Sequence, residues 1–330
     1  MLKSGIPISA VIETLVEQAK SGTFKKILNQ VKADVSRGQS LEKSLGQFPR
    51  VFDKFYLSLI SIGEESGTLE ESLIYLVEQM EKEKDLRQKV QGAMLYPLIV
   101  LAATGVIGLV LAFFILPQII DLFESLDVEL PLTTSILIAV AKLLRDWGIV
   151  IIPGAIGLII VSMAILQTKL VKPLWHRFIL HLPIFGGLIQ NISLATLCRN
   201  LGIMLRSGLT ITSALETSAE VERNLTYQRD LKIISEEVRR GKSIADVLLA
   251  QKFREFPLFA VRMIGVGEKS GNLEDNLGYL GDYFEDEVDT LTKNLATSLE
   301  PILLVLIGGV VAFVALSIIS PIYQVTGSIR

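Results

Sequence analysis

Three long stretches without a single charge constrain this chain more than any other feature. No Asp, Glu, Lys or Arg occurs between Lys89 and Asp121, between Trp147 and Thr168, or from Pro301 until Arg330. A helix needs about 20 apolar residues to cross the hydrocarbon of a bilayer, and each block supplies them. The blocks predict transmembrane helices over 94–118, 147–168 and 299–324. Burial inside a large soluble protein explains them less well, because such helices rarely stay apolar on every face for this length. The mean hydropathy of +0.49 is therefore an average over two unlike kinds of segment.

Lys and Arg beside the spans set their orientation, since these residues favour the cytoplasmic side. Lys82, Lys84, Arg87 and Lys89 precede the first span, and Lys169, Lys172 and Arg177 follow the second. The loop over 119–146 carries Asp121, Glu124, Asp127, Glu129 and Asp146 against only Lys142 and Arg145, which marks the outer side. Three crossings then place the amino terminus in the cytoplasm and the carboxyl terminus outside it.

The chain also repeats itself at an offset of 203–204 residues. Leu2-Lys-Ser-Gly5 matches Leu205-Arg-Ser-Gly208, and Ile8–Thr14 matches Ile211–Thr217. Arg37-Gly-Gln-Ser40 falls on Arg240-Gly-Lys-Ser243, and Phe48-Pro49 meets Phe256-Pro257 after a few extra residues. Ile62-Gly-Glu-Glu-Ser-Gly-Thr-Leu-Glu70 falls on Val266-Gly-Glu-Lys-Ser-Gly-Asn-Leu-Glu274, and Pro97 and Pro117 fall on Pro301 and Pro321. Such a period is domain-sized, so it indicates a duplication and not a solenoid.

Within each copy the apolar residues recur at helical spacing, as at Ile8, Val11, Ile12, Leu15 and Ala19. Thr68, Ser243 and Asn272 each stand three residues before an acid, which is the spacing of a helix start. Gly67 and Gly271 stand where a left-handed residue ends a helix. The fold class expected is all-α: an integral membrane protein with two duplicated cytoplasmic antiparallel helical bundles, over 1–90 and 172–293, and three membrane helices. The second copy has an extra apolar helical pattern over 192–204, whereas Met1 stands at the equivalent of Met204, so the first bundle is expected to lack its first helix.

Several chemistries are disfavoured. Lys and Arg total 32 against 35 Asp and Glu, so no basic field exists to hold nucleic acid. One cysteine and two histidines leave few soft ligands for a metal. His176 and His181 are five apart, on different faces of a helix, and are expected near lipid headgroups beside Trp175. Cys198 lies on an apolar helix face, the setting of a buried, inert thiol. Arg240-Gly-Lys-Ser243 resembles the end of a phosphate-binding loop, but Glu236 occupies the position of its first glycine. Gly265, Gly267 and Gly271 have the wrong interval for a dinucleotide-binding turn. No catalytic, cofactor-binding or metal-binding residue is expected.

The duplicated pattern Ser-Gly-(Ile/Leu)…Arg-Gly-x-Ser…Phe-Pro…Gly-Glu-x-Ser-Gly-x-Leu…Pro, with a span after each copy, resembles the F-protein family of type II secretion and type IV pilus systems (PilC/GspF-like). The resemblance covers essentially the whole chain and recurs in both halves. It implies a non-enzymatic platform in the bacterial inner membrane. A cytoplasmic hexameric ATPase would act on it, pilin or pseudopilin subunits would enter a filament beside it, and other inner-membrane assembly proteins and lipid would surround it. A homo-oligomer is expected from its central place in such a machine.

Candidate partner-interface residues are Glu64, Glu268 and Glu300. For Glu64 and Glu268 a structural account competes, in which the glycines shape a tight turn and the carboxylates bond nearby backbone amides. Glu300 precedes Pro301 at the mouth of the third span, where the first copy has Tyr96 before Pro97. A carboxylate there is either paired and functional or solvated in the first helical turn. Thr104, Gly108 and Ala112, with Gly308 and Ala312, form small-residue stripes suited to helix packing. The competing functions are a transporter, which would need polar groups at mid-span, and a signalling protein, which would need more than a short outer loop.

Overall fold

The structure, a computed structural model, describes residues 1–110, 132–166, 168, 171–180, 182 and 185–328. Of the described residues 85% are helical, and none lies in a strand. After a short 3-10 turn at Leu2–Ser4, five helices follow: α1 (Ile8–Gln18), α2 (Gly22–Ser36), α3 (Leu41–Gly46), α4 (Lys54–Ser66) and the long α5 (Leu69–Val110). Beyond them lie α6 (Leu132–Leu166), α7 (Lys172–Leu180) and α8 (Phe185–Arg206). The chain ends with α9 (Ile211–Val221), α10 (Leu225–Arg239), α11 (Ile244–Gln251), α12 (Leu258–Ser270) and α13 (Leu273–Ser328).

The sequence repeat is thus a repeat of elements. Helices α1 to α5 and α9 to α13 follow the same order, starting at residues 8, 22, 41, 54 and 69 and again at 211, 225, 244, 258 and 273. Their boundaries are set by matched caps. Ser21 and Asn224 each accept an amide of the helix they open, as do Ser40 and Ser243. The expected helix start at Ser243 is therefore observed. Gly67 and Gly271 end α4 and α12 at φ of 75° and 70°, a conformation that costs glycine nothing sterically.

Residues 1–88 and 173–289 form one compact unit. The bundles expected over 1–90 and 172–293 keep their own helix order, yet their apolar faces close on a single cluster. Ile12, Val31, Leu59 and Leu76 from the first series share it with Leu194 and Met204 of α8 and with Leu215, Leu231 and Leu280 from the second. Each such side chain, when fully buried, contributes about 1.5–3 kcal/mol of hydrophobic transfer energy. Polar contacts also join the first series to α8 and to the second series. Gln79 Nε2 donates to Asn200 Oδ1 at 2.8 Å in the interior, and Lys54 pairs with Glu220.

The second unit comprises 89–172 and 290–330, with the carboxyl-terminal part of α5, helix α6 and the end of α13. Among the described residues two helices are long and apolar enough to cross a membrane, α5 and α8. They differ in what covers them. The apolar stretch of α5 is 6% buried, whereas that of α8 is 56% buried within the first unit, where its apolar residues supply the core. Residues 301–317 of α13 form a shorter apolar stretch that exposes Leu304, Val305 and Leu316. Helix α6 exposes Val150, Leu158 and Ile160. Hydroxyls here bond backbone carbonyls: Thr104 donates to Val100 O, and the buried Thr134 donates to Ser317 O at 2.7 Å.

Candidate functional site

The repeated Gly-Glu-x-Ser-Gly turn proves to be a junction of three helices. The first amides of a helix have no partner inside it and need an acceptor from elsewhere. At α3 the Leu41 and Glu42 amides donate to the two carboxylate oxygens of Glu64, at 2.6 and 2.9 Å. The third amide, from Lys43, donates to the Ser40 hydroxyl at 3.3 Å. In the second series Ile244 and Ala245 donate to Glu268 at 2.5 and 3.0 Å, and Asp246 donates to Ser243 at 3.0 Å. A carboxylate is favoured there by the helix dipole as well as by the hydrogen bonds.

The glycines serve the same junction. A Cβ on Gly63 would stand 2.7 Å from Ser72 Oγ and 2.9 Å from Leu69 Cα, so only glycine lets α4 approach the start of α5. Gly267 has the corresponding relation to Asn276 and Leu273, at 2.8 and 3.0 Å. The Arg-Gly-x-Ser element is the preceding turn. Gly38 and Gly241 have φ of 87° and 90°, and the next residues, Gln39 and Lys242, donate back to Asp34 O and Glu237 O. The phosphate-loop resemblance at Arg240–Ser243 is thus a helix-to-helix turn. Of the two accounts of Glu64 and Glu268, the structure displays the capping one: both carboxylates are engaged with backbone amides.

A second polar constellation was not anticipated from sequence. Arg199 on α8 is 9% exposed, and its Nη2 donates to Glu285 at 2.5 Å and to Asp282 at 3.2 Å, both on α13. Lys82 of α5 approaches the same acids at 3.4 and 3.6 Å. Arg199 and Glu285 are thereby paired in the interior, where an unpaired charge would be costly, with the more exposed Lys82 and Asp282 beside them. Close backbone approach makes this geometry available. A Cβ on Gly281 would lie 3.2 Å from Arg199 Cβ, and one on Gly202 would lie 3.1 Å from Glu274 O. The available signal was Arg199 itself, which interrupts the apolar pattern of Leu194, Leu197, Leu201 and Met204.

The remaining candidates are not brought together. Glu300 lies on α13, and its side chain is outside the described residues. Ala112 is outside the described residues as well. Gly108 and Gly308 are exposed, with nothing within 4 Å of an added Cβ, and Ala312 is exposed. Cys198 is buried, and burial outweighs the neighbouring Arg199 in pushing its thiol up to about 12. His176 Nδ1 accepts the Leu225 amide at 3.1 Å, so this ring caps α10. His181 is outside the described residues. Among the described residues no group of three His, Cys, Asp or Glu is placed to hold a metal.

Comparison with known proteins matches this architecture to a family. The model for type II secretion system (T2SS) protein F matches residues 1–117 and again residues 197–321, the two stretches related by the internal repeat. The type IV pilus assembly protein PilC of Myxococcus xanthus is 29% identical over 100% of this chain and 79% of its own length. The PilC protein of Pseudomonas aeruginosa is 29% identical over 98% of this chain and 86% of its own length. The type II secretion system protein F of Vibrio cholerae is 30% identical over 98% of this chain and 79% of its own length. With a model matched on both repeats and relatives aligned along its whole length, the chain belongs to the type II secretion system protein F family.

Proposed function

We propose that this protein is a non-enzymatic inner-membrane platform of a type IV pilus or type II secretion machine. The observation that carries the topology is the composition of the first unit, which draws on residues 1–88 and 173–289. The buried Gln79–Asn200 hydrogen bond cannot form across a bilayer, so the chain between those halves leaves the membrane on the side where it entered. Two crossings, at 94–118 and 147–168, satisfy this, and the Lys and Arg flanking them favour the cytoplasm for the packed unit. A third crossing at 299–324 puts the carboxyl terminus on the far side.

On this reading the cytoplasmic unit receives the assembly ATPase, and the membrane helices meet pilin or pseudopilin subunits. Helices α5 and α13 each contribute residues to both units. Glu64 and Glu268 would contribute to docking indirectly, by fixing α3 and α11. Glu300 would orient a pilin helix or pair with a neighbouring platform subunit, and the stripes at Thr104, Gly108, Ala112, Gly308 and Ala312 would pack helices in a homo-oligomer.

Affinity purification of the tagged protein from native membranes, followed by identification of its companions, tests the reading. An assembly ATPase and pilin-like subunits should co-purify, and deletion should abolish surface filaments or secretion. Normal filaments and normal secretion in the deletion strain would overturn the proposal.

A further inference from the structure

Helix α7 has two unlike faces. On one, His176 accepts the Leu225 amide and Leu180 packs against the apolar cluster of the first unit. The other is uncovered. Pro173, Leu174, Arg177 and Phe178 are the exposed residues of this helix, and their spacing of i, i+1, i+4 and i+5 puts them on a single side. Leu174 is 70% and Phe178 58% exposed, and the Trp175 ring stacks on Phe178 with centroids 5.9 Å apart.

We propose that α7 lies in the headgroup layer of the cytoplasmic leaflet, with Leu174 and Phe178 at the acyl boundary and Lys172 and Arg177 on the phosphates of anionic phospholipid. Two observations favour a lipid surface as the occupant. The Lys172 amide donates to Thr168 O at 2.9 Å, so the helix starts one turn after the apolar segment over 147–168 ends. Its cations also stand in a long stretch of one sign: Lys169, Lys172 and Arg177 lie between Asp146 and Glu216, where no other Asp or Glu occurs. Leu, Trp and Phe beside such cations are the composition of a helix held in the plane of an anionic membrane. Each cation at that surface strengthens the contact by roughly fivefold. The inference rests on the topology proposed above, which brings the end of the second span to this leaflet. Because the same helix caps α10 through His176, the lipid contact and the packed unit would share one element of nine residues.

Trp147→Phe leaves Trp175 as the only tryptophan, a probe native to the helix. The full-length protein with this change would be reconstituted in vesicles of equal parts phosphatidylcholine and phosphatidylglycerol, with bromine on the acyl chains of one lipid at a time. Bromine at the headgroup end of the chain should quench Trp175 more than bromine at the methyl end, and brominated phosphatidylglycerol should quench it roughly twofold more than brominated phosphatidylcholine. Combined Lys172→Gln and Arg177→Gln should abolish that preference and leave the thermal midpoint unchanged. A control chain carries Leu158→Trp with Trp147→Phe and Trp175→Phe, and bromine at the methyl end should quench it. Equal quenching of Trp175 by the two lipids would overturn the proposal. So would a Trp175 reached by aqueous acrylamide and not by bromine, or one screened from both, as a protein partner seated on α7 would screen it. If the control tryptophan at 158 is quenched in any of these cases, the topology stands and only this inference falls; if it escapes quenching, both fall together.

Discussion

The Glu64 carboxylate holds the Leu41 amide at 2.6 Å across 23 residues of chain, and Glu268 repeats this on Ile244 at 2.5 Å across 24. This bond turns a short helix that could not stand alone into a fixed corner. Six residues of α3 are far below the length at which an isolated helix persists in water.

Removing either carboxylate strands two amides. Glu64→Ala or Glu268→Ala should destabilise the protein by roughly 2–4 kcal/mol, and Glu→Gln at the same positions by about half as much, because the amide retains one acceptor oxygen. Thermal unfolding of each variant in one detergent at one scan rate measures the order. An unchanged midpoint for both alanine variants would show that the cap contributes nothing.

The glycines at the same junction should fail for different reasons. Gly63→Ala and Gly267→Ala force a Cβ against Leu69 Cα and Leu273 Cα, and such overpacking costs about 1–3 kcal/mol. Gly67→Ala meets no atom within 4 Å and should cost only the strain of its positive φ, roughly 1–2 kcal/mol. Gly67→Asn should recover part of that loss, whereas Gly63→Asn should be worse than Gly63→Ala.

At the interior network, Arg199→Met should cost on the order of 3–5 kcal/mol, because Glu285 loses its closest cation. Adding Glu285→Gln should return part of that loss, and a double-mutant cycle isolates the pair from Lys82 and Asp282. Strict additivity would mean that Arg199 acts by packing and not by charge.

A pH dependence follows from Glu222. Burial, its largest influence, raises the carboxyl above the ordinary 4.5, against the lowering effect of the Asn224 and Arg223 amides and the Arg223 charge. The unfolded chain therefore loses this proton first. The ionisation penalty on stability grows as pH rises through the ordinary value towards the folded one and is complete above it. Glu222→Gln should unfold at a higher temperature than the parent at about pH 7, with the difference closing by about pH 4. The Cys198 thiol, pushed up to about 12, should resist maleimide until the protein unfolds.

In the membrane segments the proposals give two outcomes. Gly108→Leu or Gly308→Leu should lower oligomer stability in detergent if the small stripes pack helices. Glu300→Gln should reduce filament assembly or secretion at normal protein abundance if that carboxylate has a partner.

Local spacing made much of this legible. The helix at Ser243, the turns at Gly67 and Gly271, the internal repeat and the buried Cys198 all follow from residues close in sequence. Cross-chain pairing was harder to read. Backbone capping by Glu64 was legible as one of two accounts, but not its amide partners, which lie 22 and 23 residues away. Arg199 interrupts an apolar pattern, but its acids lie 83 and 86 residues on. Periodicity reports which face a residue occupies but not what faces it, so a charge on a core face is visible while its partner is not. The shared core of the two series stayed hidden for the same reason.

Topology is the central claim, and cysteine accessibility tests it most directly. In a Cys198→Ser background, single Glu65→Cys, Lys269→Cys and Ser328→Cys variants would be treated with a membrane-impermeant maleimide in intact and in permeabilised cells. The account predicts that the first two are labelled only after permeabilisation and that the third, provided the reagent reaches the periplasmic side, is labelled beforehand. Labelling of Glu65→Cys and Lys269→Cys from opposite sides would contradict it, because the two halves of the packed unit would then be separated by the bilayer.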